Sequence, residues 1–262
     1  MQKIMNEKVE SPKHALFEYC LRIGDTSLIL GQRLSEWCGH APVLEEDIAM
    51  SNIALDLIGQ SRIILTYAGQ VEGKGRSEDA LAYFRDARQF RNLLMVEQPN
   101  GDFAMTITRQ FLVSVFNFHL YTELSKSKDE TIAAFAAKSL KEVAYHVRHS
   151  NDWMLRLGDG TAESHRRAQD AINDLWYFVD DMFQSDAVDE MLLKEGIAAD
   201  LEKVRQQWEL MVTGTITKAT LKLPVANNLL RMGSRQGNHT EHLGYILAEM
   251  QSLPRSYPDA VW

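Results

Sequence analysis

Apolar residues return at helical spacing through most of this chain, and the places where that rhythm breaks divide it into segments. From His14 to Trp37, the positions Leu16, Cys20, Ile23, Leu28, Leu34 and Trp37 define a first long helix. Gly24 and Gly31 fall inside it, where a missing Cβ suits close packing against a neighbour. The Cys-Gly-His-Ala-Pro stretch (38–42) is a break. Glu45, Glu46 and Asp47 then put negative charge in the first turn of a second helix, where the peptide dipoles favour it. That helix runs through Ile48, Ile53, Leu57 and Ile64 to about Gly69. Ser77 caps a short helix ending near Tyr83, and a third long helix spans Phe103 to Leu124. Ser127 with Glu130 reads as a capping box that opens a fourth, ending at Gly158-Asp159-Gly160.

The last third is less regular. A fifth helix is expected from Ala162 to Phe183, a short sixth from Val188 to Lys194 and a seventh from Leu201 to Leu221. An irregular link through Leu223-Pro224 and the stretch 231–237 leads to a last helix from Thr240 to Leu253. Period-2 alternation and solenoid repeats are both absent. The expected fold is therefore all-α, a four-helix bundle with additional C-terminal helices. Residues 1–13 are expected as a flexible tail and 14–262 as a single domain.

One connection stands out. The stretch 85–102 mixes charge with the apolar run Leu93-Leu94-Met95-Val96 and a Pro-Asn-Gly turn. A link of this length in a compact bundle is functional or disordered, and its apolar run argues against disorder.

Composition narrows the partners. A formal charge of −8 with no basic run excludes nucleic acid and anionic membrane as the main targets. The most apolar run, Phe111 to Tyr121, is half the length of a bilayer span, so no membrane crossing is expected. Cys20 and Cys38 sit near opposite ends of the first helical segment, about 27 Å apart at helical rise, too far for a disulfide. Two unpairable thiols and no secretory-signal pattern point to a reducing, cytoplasmic setting.

Four long helices in series are also the inventory of a ferritin-like di-iron bundle. Such a bundle takes one Glu from each of two helices and a Glu-x-x-His pair from each of the other two. Glu142, His146 and His149 share one face of the fourth helix, but Tyr145 stands where the pair needs histidine. Across all eight histidines, the residue three positions earlier is never acidic. The second helix offers Asp56 and no histidine, the first Asp25, the third only Glu123 near its end. Asp56, Glu142 and His146 thus read as a degenerate remnant, and no metal is expected on this chain. The alternative is a self-sufficient metal oxidase using Glu142, His146 and His149. His239 and His242 flank Glu241 at the start of the last helix, where Asn238 or Thr240 suits the N-cap. Cys38 beside His40 could form a nucleophile and base, although nearness in sequence says little about geometry.

Three groups of residues carry a family resemblance: 31–42 (Gly-Gln-Arg-Leu-Ser-Glu-Trp-Cys-Gly-His-Ala-Pro) with 52–60 (Asn-Ile-Ala-Leu-Asp-Leu-Ile-Gly-Gln), 92–103 (Asn-Leu-Leu-Met-Val-Glu-Gln-Pro-Asn-Gly-Asp-Phe), and 239–244 (His-Thr-Glu-His-Leu-Gly) with 247–251 (Leu-Ala-Glu-Met-Gln). Together they resemble the C-subunit family of bacterial phenylacetyl-CoA epoxidase, the multicomponent ring-1,2-oxygenase of phenylacetate breakdown. The resemblance covers about Phe17 to Trp262. It implies a ferritin-like chain without metal ligands and without catalytic residues, inactive alone. Its partner would be the di-iron catalytic A-subunit, in a heterodimer joined by the small B-subunit. A reductase component carrying flavin and iron–sulfur groups would bring electrons from NADPH. The resemblance also makes Gln89, Phe90, Arg91 and Asn92, with Glu190, Met191 and Leu192, candidates for contact with coenzyme A or a partner. The competing reading of the loop is that its arginines pair with nearby acids while Phe90 anchors it. A third possibility for the whole chain is a helical module that holds coenzyme A thioesters.

Overall fold

The computed structural model describes residues 11–224 and 231–260. Four long helices dominate: α1 (Pro12–Ser35), α2 (Leu44–Glu72), α4 (Phe103–Leu124) and α5 (Glu130–Gly158), with the short α3 (Glu78–Tyr83) before the 85–102 stretch. Then come α6 (Ala162–Leu175), α7 (Val179–Phe183), α8 (Ala187–Lys194), α9 (Leu201–Lys218), α10 (Glu241–Met250) and α11 (Ser252–Ser256). No strand occurs among the described residues. This is the ferritin-like bundle with extra C-terminal helices that the sequence led us to expect. The proposed tail lies outside the described residues as far as position 10. Its last two residues, Pro12 and Lys13, already belong to α1.

Each long helix starts for a local reason. Ser11 accepts the His14 amide at 3.2 Å, with Pro12 next to it at the first helical position. At α2 no side chain caps the first turn, and Glu45, Glu46 and Asp47 supply the negative charge instead. Asp47 also accepts from the amides of Gly39 and Ala41, tying the helix to the preceding break. Ser77 and Asp102 cap α3 and α4 with their own oxygens.

Packing builds two antiparallel hairpins, α1 with α2 and α4 with α5, which close on each other along α2 and α5. The Gly24 site meets this need for close approach, since a Cβ there would sit 2.6 Å from a Leu65 side-chain carbon. Gly158 is more restrictive, because its Cβ would fall 2.1 Å from the Ala219 carbonyl oxygen where the end of α9 crosses. Buried side chains from every one of these helices except α11 form one continuous core. Trp208 on α9 is 1% exposed and donates to the Leu112 carbonyl at 2.9 Å, which fastens α9 to α4. Among the described residues, α2 is the one helix whose length and composition could span a bilayer, which the apolar-run reading overlooked. Here half of that apolar stretch is buried in the bundle.

Four sequence expectations need correction. The α5 cap is Asp129, which accepts from the Ile132 amide; Ser127 instead accepts from the Asp129 amide and donates to the Ile197 carbonyl. The fifth helix breaks into α6 and α7 around a 3-10 turn at Trp176–Phe178, where Trp176 packs on Trp208 with ring centres 5.8 Å apart. The seventh stops at Lys218, beyond which Thr220 takes a left-handed φ of 60°. The last divides at Gln251, whose amide group turns inward to the Ala82 and Arg85 carbonyls.

Candidate functional site

Two groups of polar residues concern function: the α2–α5 seam, where metal ligands were sought, and a buried polar face on α1. At the seam the α5 candidates do not converge. Glu142 accepts from the Gln60 amide at 2.9 Å, His146 Nε2 donates to Asp56 at 3.0 Å and His149 Nε2 donates to Glu46 at 2.8 Å. Each has its own α2 partner, and one of those partners is a neutral amide. Tyr145 leans on His149 with ring centres 6.0 Å apart, and Arg148 lies over the Tyr145 ring.

The acids expected from the other two helices are also occupied. Asp25 is fully buried and pairs with the Arg85 guanidinium. Glu123 binds Lys126 at 2.8 Å and Lys203 at 3.0 Å, and these bonds hold its carboxyl below the usual range. No group of three metal-capable side chains occurs among the described residues. A di-iron pair needs converging carboxylates, and a buried guanidinium inside the bundle opposes a polycation. The residues present do not fit that group.

The α1 face is built differently. The 85–102 stretch lies inside the molecule from Phe90 to Gln98, so its backbone groups must find partners there. Two buried carboxylates, Asp25 and Asp181, take amides of the stretch, and a third, its own Glu97, ties it to the C-terminal segment. Asp25 Oδ2 accepts from the Arg91 amide at 2.8 Å and from Arg85 Nη1 at 3.0 Å. Asp181 on α7 accepts from the Leu94 amide at 3.0 Å and from the Gly233 and Ser234 amides at 3.1 and 3.2 Å. Glu97 accepts from Asn92 Nδ2 and His239 Nδ1, each at 3.0 Å, and from the Thr240 amide at 2.6 Å. Thr26 accepts the Leu93 amide, and Arg33 donates to the Glu97 carbonyl.

Arg109, with no exposed surface, donates to the Gln98 carbonyl and the Asn100 side chain. Burial pulls its pKa down to about 9, which still leaves it charged at neutral pH.

Of the loop candidates, Phe90, Arg91 and Asn92 are buried and Gln89 is exposed. Phe90 is fully buried under the Arg85 guanidinium, 4.3 Å from its ring centre. Arg91 bonds to Glu18 at 2.8 Å and to the Arg88 carbonyl, and Asn92 turns to Glu97. Gln89 accepts the Asp86 amide with its side-chain oxygen. Phe90, Arg91 and Asn92 are thus held by contacts within the fold, whereas Gln89 stays exposed. On α8, Glu190 is exposed, Met191 half-buried and Leu192 buried, its carbonyl accepting from Ile197 and Ala198. The structure brings loop and α8 together on one helix. Arg22 binds Asp189 at 2.8 Å and Asp186 at 2.6 Å, three residues before Asp25.

His239 is buried between Glu97 and the Phe90 carbonyl, its Nε2 2.9 Å from the latter. Both ring nitrogens face acceptors. Thr240 occupies the N-cap position of α10 as expected, but its own side chain makes no cap bond. Glu97 instead holds the Thr240 amide from across the chain. His242 is half-buried on the first turn of α10. His40 Nδ1 donates to the Cys38 carbonyl at 3.1 Å, so the ring is engaged by backbone and not by the thiol. Sequence reasoning missed Asp181 and Glu97; the available signal was an isolated acid inside an apolar run, as with Glu97 after Leu93-Leu94-Met95-Val96.

A family model described as "Phenylacetic acid catabolic protein" matches residues 1–262. Among curated relatives, the C-subunit of the 1,2-phenylacetyl-CoA epoxidase of Escherichia coli (strain K12) is 50% identical over 247 residues. That alignment covers 94% of this chain and 99% of the relative.

Proposed function

Because the chain belongs to the phenylacetic acid catabolic protein family, we propose that it is the non-catalytic, structural subunit of a phenylacetyl-CoA epoxidase. The observation that carries this reading is the one-to-one pairing of Glu142, His146 and His149 with Gln60, Asp56 and Glu46. With that pairing, a chain 50% identical to an epoxidase C-subunit keeps the bundle and lacks a place for iron. Oxygen chemistry on phenylacetyl-CoA then belongs to the di-iron catalytic A-subunit, bound to this chain as a heterodimer in the cytoplasm. The small B-subunit joins the assembly, and a reductase with flavin and iron–sulfur groups supplies electrons from NADPH. This chain contributes fold and surface.

Its own residues do structural work in that scheme. The buried carboxylates Asp25, Asp181 and Glu97 hold the 85–102 stretch in one shape, which presents a rigid surface to a partner at little ordering cost. Outward apolar side chains suit a helical interface: on α2, Leu44 is 71% exposed and Leu55 65%, with Ile48 between them.

Metal analysis tests the reading. The chain purified alone should contain no stoichiometric iron and show no turnover, and co-expression with the catalytic partner should give an iron-containing, active pair. Two irons per chain in this protein by itself would sink it. So would loss of turnover in the assembled pair on replacing His146 and His149 with Ala while the pair stays intact.

A further inference from the structure

A groove of about 580 Å³ opens to solvent between α5 and α9, with Phe118 of α4 in its wall. The two helices touch where Ala219 crosses Gly158 and where Thr215 donates to Asn151 at 2.7 Å. The lining runs from Ala144 to Asn151 on α5 and from Leu210 to Lys218 on α9. At helical rise each span is about 10–12 Å, or two turns of helix. Val147 and Met211 are half-buried in it, and Leu210 at its edge is 69% exposed.

The charge of this groove runs against that of the molecule. Among the described residues its lining holds two cations, Arg148 and Lys218, and no acid, in a chain of formal charge −8. Arg148 lies over the Tyr145 ring at 5.6 Å, and neither cation forms an ion pair with a described residue. Asp152, one turn beyond Arg148, stands outside the lining and beyond ion-pair distance. Gly214 adds a second asymmetry. Glycine weakens a helix interior relative to alanine, and at Gly24 and Gly158 the missing Cβ admits a neighbour on this chain. A Cβ on Gly214 would meet no heavy atom within 4 Å, so nothing in the chain itself needs glycine there.

We infer that this groove seats an acidic, amphipathic helix of a partner subunit. Two turns of such a helix lay their apolar side chains on Phe118, Val147 and Met211, approach closely over Gly214, and set Asp or Glu side chains opposite Arg148 and Lys218. A small phosphorylated ligand fits less well. It needs several convergent polar groups, and the other polar members of the lining, Asn151 and Thr215, are bonded to each other. The inference rests on the structural role proposed above, for which it names a surface and the chemistry of what covers it.

The full chain co-purified with its partner subunits tests it, through the concentration at which the assembly dissociates on dilution, read by mass photometry. Gly214→Trp fills the groove, and Arg148→Glu with Lys218→Glu reverses its charge. Each should raise that concentration at least tenfold or leave no complex to recover, while the variant chains alone keep the wild-type circular dichroism. Gly214→Ala should raise the Tm of the isolated chain by about 2–4 °C, because its Cβ meets nothing there. Unchanged dissociation in both groove variants, with iron and turnover intact, would overturn the groove as an interface and leave the structural role standing. A wild-type chain that forms no complex would end both. Self-association of the isolated chain, or its binding of phenylacetyl-CoA, that Gly214→Trp abolishes would overturn the partner helix in favour of a second copy or a small ligand.

Discussion

At the α2–α5 seam each charged or imidazole side chain meets one partner across the groove, and Asp56 keeps 37% of its side chain in solvent. Along α1 the carboxylates of Asp25, Asp181 and Glu97 have no exposed surface, and each takes at least three bonds, most from backbone amides or cations. The residue types are alike, and the consequences differ. The Asp56–His146 pair, whose carboxylate stays partly hydrated, adds about 0–1 kcal/mol, while the His149–Glu46 pair beside it is largely buried. A buried carboxylate already bonded on both oxygens cannot be removed without stranding its partners. The seam carries the residue types of a catalyst, whereas the α1 face carries the load of the fold.

The largest effect should come from Asp25→Ala. It leaves Arg85 buried and the Arg91 amide without an acceptor, so unfolding free energy should fall by about 3–5 kcal/mol in urea titration. A loss below about 1 kcal/mol would erase the contrast between the two regions. At the seam, a double-mutant cycle on Asp56→Ala and His146→Ala should give a coupling of no more than about 1 kcal/mol. A larger coupling would mean that the seam is as tightly built as the α1 face.

The smallest effect concerns His119, which sits half-buried on α4 with an unbonded Nε2. Burial lowers its pKa, so the unfolded chain binds the proton more readily. Stability should therefore fall as pH drops through about 6.5 toward the lower folded value. His119→Gln should flatten that part of the stability-against-pH curve, and an unchanged slope would remove His119 as its source.

Much of the bundle was readable from periodicity and caps. Ser77 and the start and end of α4 fell where the pattern put them, because capping and apolar spacing act locally. The break at Trp176–Phe178 was not readable. No Gly or Pro marks it, and its cause is the packing of Trp176 on Trp208, far along the chain on α9. The histidine one position late after Glu142 was legible in the sequence, but Gln60 and Glu46 as the partners of Glu142 and His149 depend on how α2 meets α5. The loop was legible in part. That its arginines would pair with nearby acids was one of its two readings, but Asp25 and Glu18 on α1 as those acids depend on how the loop packs.

The bond between Glu97 and His239 joins residues 142 positions apart. Loop closure over such a span is entropically costly and slow to form. During synthesis the first two hairpins can assemble while Glu97 still lacks its donors from His239 and Thr240. The 85–102 stretch reaches its final shape only when the C-terminal end of the chain emerges from the ribosome. Until then it is an unfinished, partly apolar segment of the kind chaperones bind. Completion of the 85–102 stretch is therefore tied to His239 and Thr240, far along the chain.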